Sequence, residues 1–106
     1  MEYFSAVYKI LKAIYHSMDY EEFDENSISP ETLNVTLPKW EAIMRELVEQ
    51  GYIKGVALVP IAGREKGVKL IRPTLTMKGV EYLEENSMMK KAHNFLKGIK
   101  DIMPGM

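Results

Sequence analysis

The chain has no cysteine among its 106 residues. This absence excludes a disulfide framework and any metal site built on thiolates. A chain of this length is typical of one domain that can bury a core without covalent cross-links. We therefore expect a single domain over residues 1–106, with its core within about residues 3–86.

Long apolar runs are also missing. No stretch approaches the about eighteen consecutive apolar residues that a membrane helix needs. The first residues, Met1-Glu2-Tyr3-Phe4, are acidic and already have a helical pattern, unlike a secretory signal. The default expectation is a cytoplasmic protein without a membrane partner.

Recognisable catalytic and cofactor motifs are absent as well. The sequence has no phosphate-binding glycine loop and no dinucleotide fingerprint. His16 and His93 lie in different predicted helices, and neither has a second ligand at metal spacing. The acidic run from Asp19 to Glu25 lacks the alternating ligands and central glycine of a calcium loop, so a solvated acidic loop is the simpler interpretation. We expect no enzymatic activity, no catalytic or metal-binding residues and no cofactor.

Charge is distributed unevenly along the chain, although 14 basic and 15 acidic residues give a net charge of only −1. Residues 1–26 carry −4 and residues 27–59 carry −1, whereas residues 60–86 carry +1 and residues 87–106 carry +3. A positive second half is compatible with a nucleic-acid face. The total is far from the strongly basic balance that would indicate nucleic-acid binding alone.

The first half of the chain predicts three helices. Apolar residues at helical spacing predict a helix from about Tyr3 to Met18. Ser29-Pro30 and Thr36 predict the next two starts, because a hydroxyl caps unpaired amides and proline is tolerated in the first turn. Gly51 is expected to end the third helix in the left-handed conformation, and the short turn between the second and third helices predicts a helix-turn-helix unit. The third helix has one apolar stripe: Trp40, Ile43, Met44, Leu47 and Val48.

The acidic loop between the first two helices contains two aromatic residues, Tyr20 and Phe23. We expect both rings to hold the loop against the core.

The second half predicts a hairpin and two more helices. Residues 52–60 form a predicted strand, residues 62–67 a polar tip and residues 68–72 the returning strand. Pro73 is expected to end that strand, because proline cannot continue a ladder. Thr76 predicts the next helix start, with an inward face formed by Val80, Leu83 and Met77. A last amphipathic helix is predicted over about residues 87–103.

These elements together predict the α+β class. The order is that of a winged helix-turn-helix domain with a two-stranded β-wing and an additional C-terminal amphipathic helix.

Two motifs and the tail carry a family resemblance. They are Gly51-Tyr52-Ile53-Lys54-Gly55-Val56, then Leu75-Thr76-Met77-Lys78-Gly79-Val80-Glu81-Tyr82-Leu83-Glu84-Glu85-Asn86, and the tail through Ile99-Lys100-Asp101-Ile102. They resemble the YjcQ family, small winged-helix proteins of Firmicutes and their phages. The resemblance covers nearly the whole chain, most clearly from Glu41 onward. It implies a winged-helix fold and a phage or prophage context, and it supplies neither a function nor catalytic residues. The hairpin tip over residues 61–67 is longer than expected for the family.

The leading functional hypothesis is non-catalytic binding of double-stranded DNA by a small phage-associated or prophage-associated transcriptional regulator of unknown target. In such a domain the N-terminal part of the third helix meets the major groove, and a basic wing reaches the backbone or minor groove. The candidate DNA-binding residues are Lys39 and Arg45 on the third helix, and Arg64, Lys66 and Lys69 on the wing, with Arg72 a further basic residue of the wing.

Each of these signals also has an ordinary structural explanation. Glu41, Glu46 and Glu49 share the face assigned to Lys39 and Arg45, and would approach phosphates unless turned away. The alternative interpretation is a solvated helix face with ion pairs within the helix. Charged residues such as Lys69 and Arg72 also protect short edge strands from aggregation.

The alternative hypothesis is a winged-helix protein–protein interaction module that does not bind DNA. The acidic first segment, the glutamates of the third helix and the near-zero net charge favour it. The last helix could pack within the chain or form a homodimer. The residues assigned to this interaction face are Met88, Ala92, Phe95, Ile99 and Ile102.

Overall fold

The computed structural model describes the backbone of residues 2–61 and 64–86, and the side chains of residues 3–59 and 67–86. Four α-helices, a 3-10 helix and one antiparallel sheet make up this part of the chain, in an α+β arrangement compatible with a winged-helix-like fold. In chain order the elements are α1 (Glu2–Ser17), a 3-10 helix (Glu25–Ile28), α2 (Pro30–Leu33), α3 (Leu37–Glu49), β1 (Ile53–Ile61), β2 (Arg64–Leu75) and α4 (77–86).

The core forms around the apolar stripes of α1 and α3. Ile10, Leu11 and Ile14 of α1 and Ile43 and Met44 of α3 are completely buried. The core is completed by side chains from the remaining elements: Ile28, Leu33, Ile53, Leu75 and Leu83. The predicted first and third helices are therefore confirmed as α1 and α3. In each, the apolar residues at helical spacing form one buried face.

Local capping explains where the short elements begin. The Ser29 hydroxyl accepts a hydrogen bond from the Thr32 amide at 3.2 Å, and Thr36 caps α3 by accepting from the Lys39 amide at 3.4 Å. Between them, Asn34 adopts the left-handed conformation with a φ of 57°. The indole of Trp40 donates to the carbonyl of Ile28 at 2.7 Å, which ties the start of α3 to the 3-10 helix. The predicted turn is therefore confirmed, although α2 has only four residues.

The end of α3 has the hydrogen bonds of a Schellman motif. The Tyr52 amide donates to the Leu47 carbonyl at 2.9 Å, and the Gly51 amide donates to the Val48 carbonyl at 3.0 Å. Gly51 has a φ of +79°, in the left-handed region that glycine adopts most easily. The predicted helix end at Gly51 is confirmed.

The hairpin is longer than predicted at both ends. The strands extend to Ile61 and Arg64, which pair with each other, so residues 64–67 belong to β2 and not to a tip loop. The expectation that Pro73 ends the strand is wrong, because β2 continues to Leu75.

A bulge explains how β2 accommodates Pro73. Lys54 pairs with Thr74 and Val56 pairs with Leu70, so Gly55 alone lies opposite residues 71–73. Pro73 falls within this irregular stretch, where its missing amide breaks no regular ladder.

Two side-chain predictions are wrong in this part of the structure. Met77 is 84% exposed, whereas Leu75 at the end of β2 and Leu83 in the second half of α4 are buried. Tyr20 is 60% exposed and packs against His16 with ring centroids 5.7 Å apart, whereas Phe23 does pack on the core.

The predicted C-terminal helix over residues 87–103 lies outside the described residues. Within the described part of the chain, no helix is both long enough and apolar enough to span a membrane.

Candidate nucleic-acid interface

The N-terminal half of α3 presents an exposed surface without an exposed acid. Lys39 and Ala42 are exposed there, whereas Glu41 is only 5% exposed. The expectation that Glu41 shares the solvent-facing surface is therefore wrong, because this residue lies on the flank that turns toward the protein. The exposed glutamates of α3, Glu46 and Glu49, lie in its C-terminal half.

Lys39 and Arg45 do not form one cluster. They are six positions apart, which corresponds to about 120° around the helix and about 9 Å along its axis. Lys39 is exposed, whereas Arg45 is half-buried. The two residues lie on opposite flanks of the exposed face, so a ligand that contacts both must span the helix surface around Ala42.

The hairpin lies beside the start of α3. Lys69 is exposed on β2, opposite Ala57, and it lines a cleft together with Trp40. Lys39 directly precedes Trp40 on α3, but its side chain is not among those that line this cleft. Arg64 and Lys66 lie on β2 close to the tip, and their side chains are outside the described part of the structure. The other residues that line the cleft include Glu25, Ser29, Pro30 and Leu70.

Arg72 was predicted as a basic residue of the wing, but it bonds to the end of α1 and to the acidic loop. Its guanidinium donates to the carbonyl oxygens of Ser17 at 2.9 Å and Tyr20 at 2.7 Å, and it lies 5.8 Å from the centre of the Phe23 ring. These contacts join the base of the hairpin to the end of α1 and the acidic loop. Arg72 therefore stabilises the fold, and its guanidinium donors are directed at the protein's own carbonyl groups.

The Leu75-Thr76-Met77-Lys78-Gly79 motif fastens α4 to the end of α3. The Thr76 hydroxyl accepts from the Gly79 amide at 3.0 Å, as a helix cap, and donates to the Gly51 carbonyl. The Lys78 ammonium donates to the Gln50 carbonyl at 2.9 Å, and lies over the Tyr52 ring at 5.1 Å. The lysine of this motif is thus a helix C-cap, and the motif itself does not indicate DNA contact.

Tyrosine rings complete the same junction. The rings of Tyr52 and Tyr82 are 4.9 Å apart between centroids. Burial raises the pKa of the Tyr82 phenol, and the neighbouring Tyr52 and Tyr3 phenols raise it further. Gly79 permits the start of α4 to lie close to the backbone of Tyr52, since a Cβ at position 79 would lie 2.1 Å from the Tyr52 carbonyl oxygen.

Residue types that could support catalysis or metal binding, such as His16 and Ser17, lie near the end of α1. His16 and Ser17 line a hollow beside the acidic loop. The Ser17 hydroxyl donates to the Ile14 carbonyl at 2.7 Å, which is a helix-end bond. No group of three or more metal-ligating side chains occurs among the described residues. The described part of the chain does expose basic and large apolar side chains.

Comparison with known proteins identifies the family. The family model for the YjcQ protein matches residues 8–102. The chain belongs to the YjcQ family. It is also similar to the solution NMR structure of the YjcQ protein from Bacillus subtilis, with a TM-score of 0.52 and 28% sequence identity, covering 76% of this chain and 91% of that one. A search of curated proteins found no match. The resemblance to the YjcQ family is confirmed, and the family name supplies no activity.

Proposed function

We propose that the protein is a non-catalytic winged-helix DNA-binding protein, and that it serves as a small phage-associated or prophage-associated transcriptional regulator. In this proposal α3 is the recognition helix and the β1–β2 hairpin is the wing. The observation that carries the proposal is the N-terminal half of α3, which exposes Lys39 and no acid of its own, and whose Trp40 lines a cleft with Lys69 and Glu25. Membership of the YjcQ family is compatible with it.

The expected mode of binding follows from these positions. The N-terminal end of a recognition helix points into the major groove, where lysine can reach a phosphate or a guanine edge. Lys39 and Arg45 would make these contacts from α3. Arg64, Lys66 and Lys69 would contact the phosphate backbone from the wing, adding affinity that does not depend on sequence.

A pair of double variants tests this assignment. Lys39→Gln with Lys69→Gln removes two charges from the proposed interface, and Lys9→Gln with Lys12→Gln removes the same charge from α1. We expect the first variant to bind random-sequence duplex DNA about tenfold or more weakly at low salt, since each lost phosphate contact removes counterion release. The α1 variant should bind nearly as well as the unmodified protein. Equal losses in fluorescence anisotropy titrations of the two variants would reduce the effect to net charge and contradict the assignment.

A protein–protein interaction module is the second candidate. Exposed Glu46 and Glu49 on α3, and the exposed apolar side chains of Leu58 and Ile71 on the hairpin, favour it. Ile71 is 68% exposed, which is unusual for a large aliphatic side chain. Absence of DNA binding at micromolar protein and low salt would make this candidate the leading one.

A further inference from the structure

An apolar groove lies between the start of α1, the end of α3 and α4. Phe4 is 56% exposed and lies next to the Tyr52–Tyr82 ring pair. Glu46 and Gln50 provide the groove's polar border. Its apolar lining consists of Tyr3, Phe4, Val7, Leu47, Tyr52 and Tyr82.

The groove continues as an aromatic row along the outer side of α1. Phe4, Tyr8 and Tyr15 are spaced by four and seven residues, which places them on one side of a helix. Tyr15 is 49% exposed and Tyr8 is partly buried. Tyr8 also packs against the core and has the Lys12 ammonium over its ring at 5.8 Å, so the row adjoins the buried stripe and widens the apolar surface of α1.

We propose that residues 88–102 of the same chain form a helix that packs in this groove and along the aromatic row of α1. The proposal concerns a different surface from the proposed DNA interface and does not depend on it. Three properties of the chain support this segment as the occupant: its point of departure, its length and its charge.

The point of departure is favourable. α4 extends over residues 77–86, and Tyr82 on its last part lines the groove. The Asn86 side chain donates to the Tyr82 carbonyl at 2.8 Å, so the last described residue lies one helical turn from the groove. The chain that follows can therefore enter the groove without a long connection.

The length is sufficient as well. A helix of residues 88–102 would be about 22 Å long, and the row from Phe4 to Tyr15 extends for about 16 Å. A helix starting near Phe4 and running parallel to α1 would place Ala92 near Tyr8 and Ile99 near Tyr15. The apolar positions of the segment, Met88, Ala92, Phe95, Ile99 and Ile102, would then meet the row.

Charge supports the same direction. Residues 87–106 carry a net charge of +3, and the loop over residues 19–25 carries five acids without a base. A parallel course would bring Lys97 and Lys100 toward that exposed acidic loop at the end of α1. An antiparallel course would leave both lysines distant from it.

The absence of native cysteine allows a direct test with engineered disulfides. Tyr15→Cys with Ile99→Cys should form an intrachain disulfide, because the proposed register brings these positions together. The control is His16→Cys with Ile99→Cys, since His16 is an exposed neighbour directed about 100° away around the helix. We expect oxidation of the first pair to be roughly tenfold faster than that of the control, owing to its higher effective concentration.

The mass of the oxidised product separates the remaining outcomes. A 12.2 kDa species on a non-reducing gel and in light scattering supports packing within the chain. A disulfide-linked dimer would overturn the proposal and assign the face to a second copy. Equal oxidation rates for the two pairs would also overturn it. Because both α1 positions are exposed, we expect the reduced variants to fold normally, and circular dichroism checks this.

Discussion

At the scale of single residues, Gly51 and Gly55 show how one backbone conformation can have two different causes. Both have a φ of +79°. A Cβ at Gly51 would meet nothing within 4 Å, whereas a Cβ at Gly55 would lie 1.9 Å from the Arg72 carbonyl oxygen. Glycine is favoured at position 51 because the helix end needs a left-handed residue. At position 55 it is also needed because the two strands approach too closely for a Cβ.

This difference predicts different costs for the same substitution. Gly51→Ala should lower the free energy of unfolding by about 1 kcal/mol, the usual cost of a left-handed alanine. Gly55→Ala should cost about 1–3 kcal/mol more, because the bulge must also move to make room. Urea denaturation of both variants measures the difference. Equal costs would show that the strand relaxes without strain, contrary to the proposed role of Gly55.

Basic residues of β2 also differ in role, although the sequence places them close together. Arg72 binds carbonyl groups of the protein itself, whereas Lys69 is exposed beside the start of α3. Arg72 was predicted to be a basic residue of the wing, because its partners Ser17 and Tyr20 lie more than fifty residues away in the chain. Such a contact has no local signal.

Two methionine substitutions should separate these roles. Arg72→Met should lower the free energy of unfolding by about 1.5–3 kcal/mol, the usual range for hydrogen bonds to a charged group. Lys69→Met should change stability by less than about 0.5 kcal/mol, as is usual for exposed positions. In DNA titrations Lys69→Met should have the larger effect. It alone should reduce the slope of log affinity against log salt by about one. The reverse pattern would exchange the two assignments.

At the scale of elements, the junction between α3 and α4 explains most of the motif that carries the family resemblance. Thr76, Lys78 and Gly79 each contact the backbone of the segment from Gln50 to Tyr52. The helix starts and ends at this junction were predictable, since capping depends on residues within one turn. The bulge around Gly55 was not, because it depends on the register between two strands.

Thr76 provides the prediction for this junction. Thr76→Ala removes the cap and the hydrogen bond to Gly51, and should lower the free energy of unfolding by about 1–2 kcal/mol. Thr76→Ser retains the hydroxyl and should recover most of that loss. Thermal unfolding monitored by circular dichroism compares the two. If the serine variant were as unstable as the alanine variant, the Thr76 methyl group and not its hydroxyl would stabilise the junction.

The raised pKa of Tyr82 makes the same junction sensitive to alkaline pH. An unfolded tyrosine ionises near pH 10, whereas burial keeps Tyr82 neutral to higher pH in the folded protein. Its contribution to stability is therefore constant below about pH 10 and is lost as the pH rises through the folded-state pKa. Tyr82→Phe should reduce the fall in Tm between pH 9 and pH 11, and Tyr15→Phe is the control. Identical pH dependence in both variants would exclude Tyr82 as the source.

At the scale of the whole molecule, the uneven charge is partly separated in space among the described residues, although Glu25 of the acidic loop lines the same cleft as Lys69. The acidic loop lies at the end of α1, and the exposed acids of α3 lie in its C-terminal half. The start of α3 and the neighbouring β2 present Lys39 and Lys69. The helices and the hairpin could be predicted from sequence patterns. The burial of Glu41 could not be predicted, because this residue lies at the edge of the apolar stripe, where the pattern does not distinguish buried from exposed positions.

The central claim is that this surface binds duplex DNA through phosphate contacts. The most direct test is the affinity of the unmodified protein for random-sequence duplex DNA, measured by fluorescence anisotropy over a series of salt concentrations. We predict binding at low salt and a linear fall of log affinity with log salt, with a slope of about −3 to −5 if most of the five candidate side chains contact phosphates. Alanine at Arg64 and Lys66 should make that slope shallower. No binding at micromolar protein in low salt, or binding that does not change with salt, would contradict the claim.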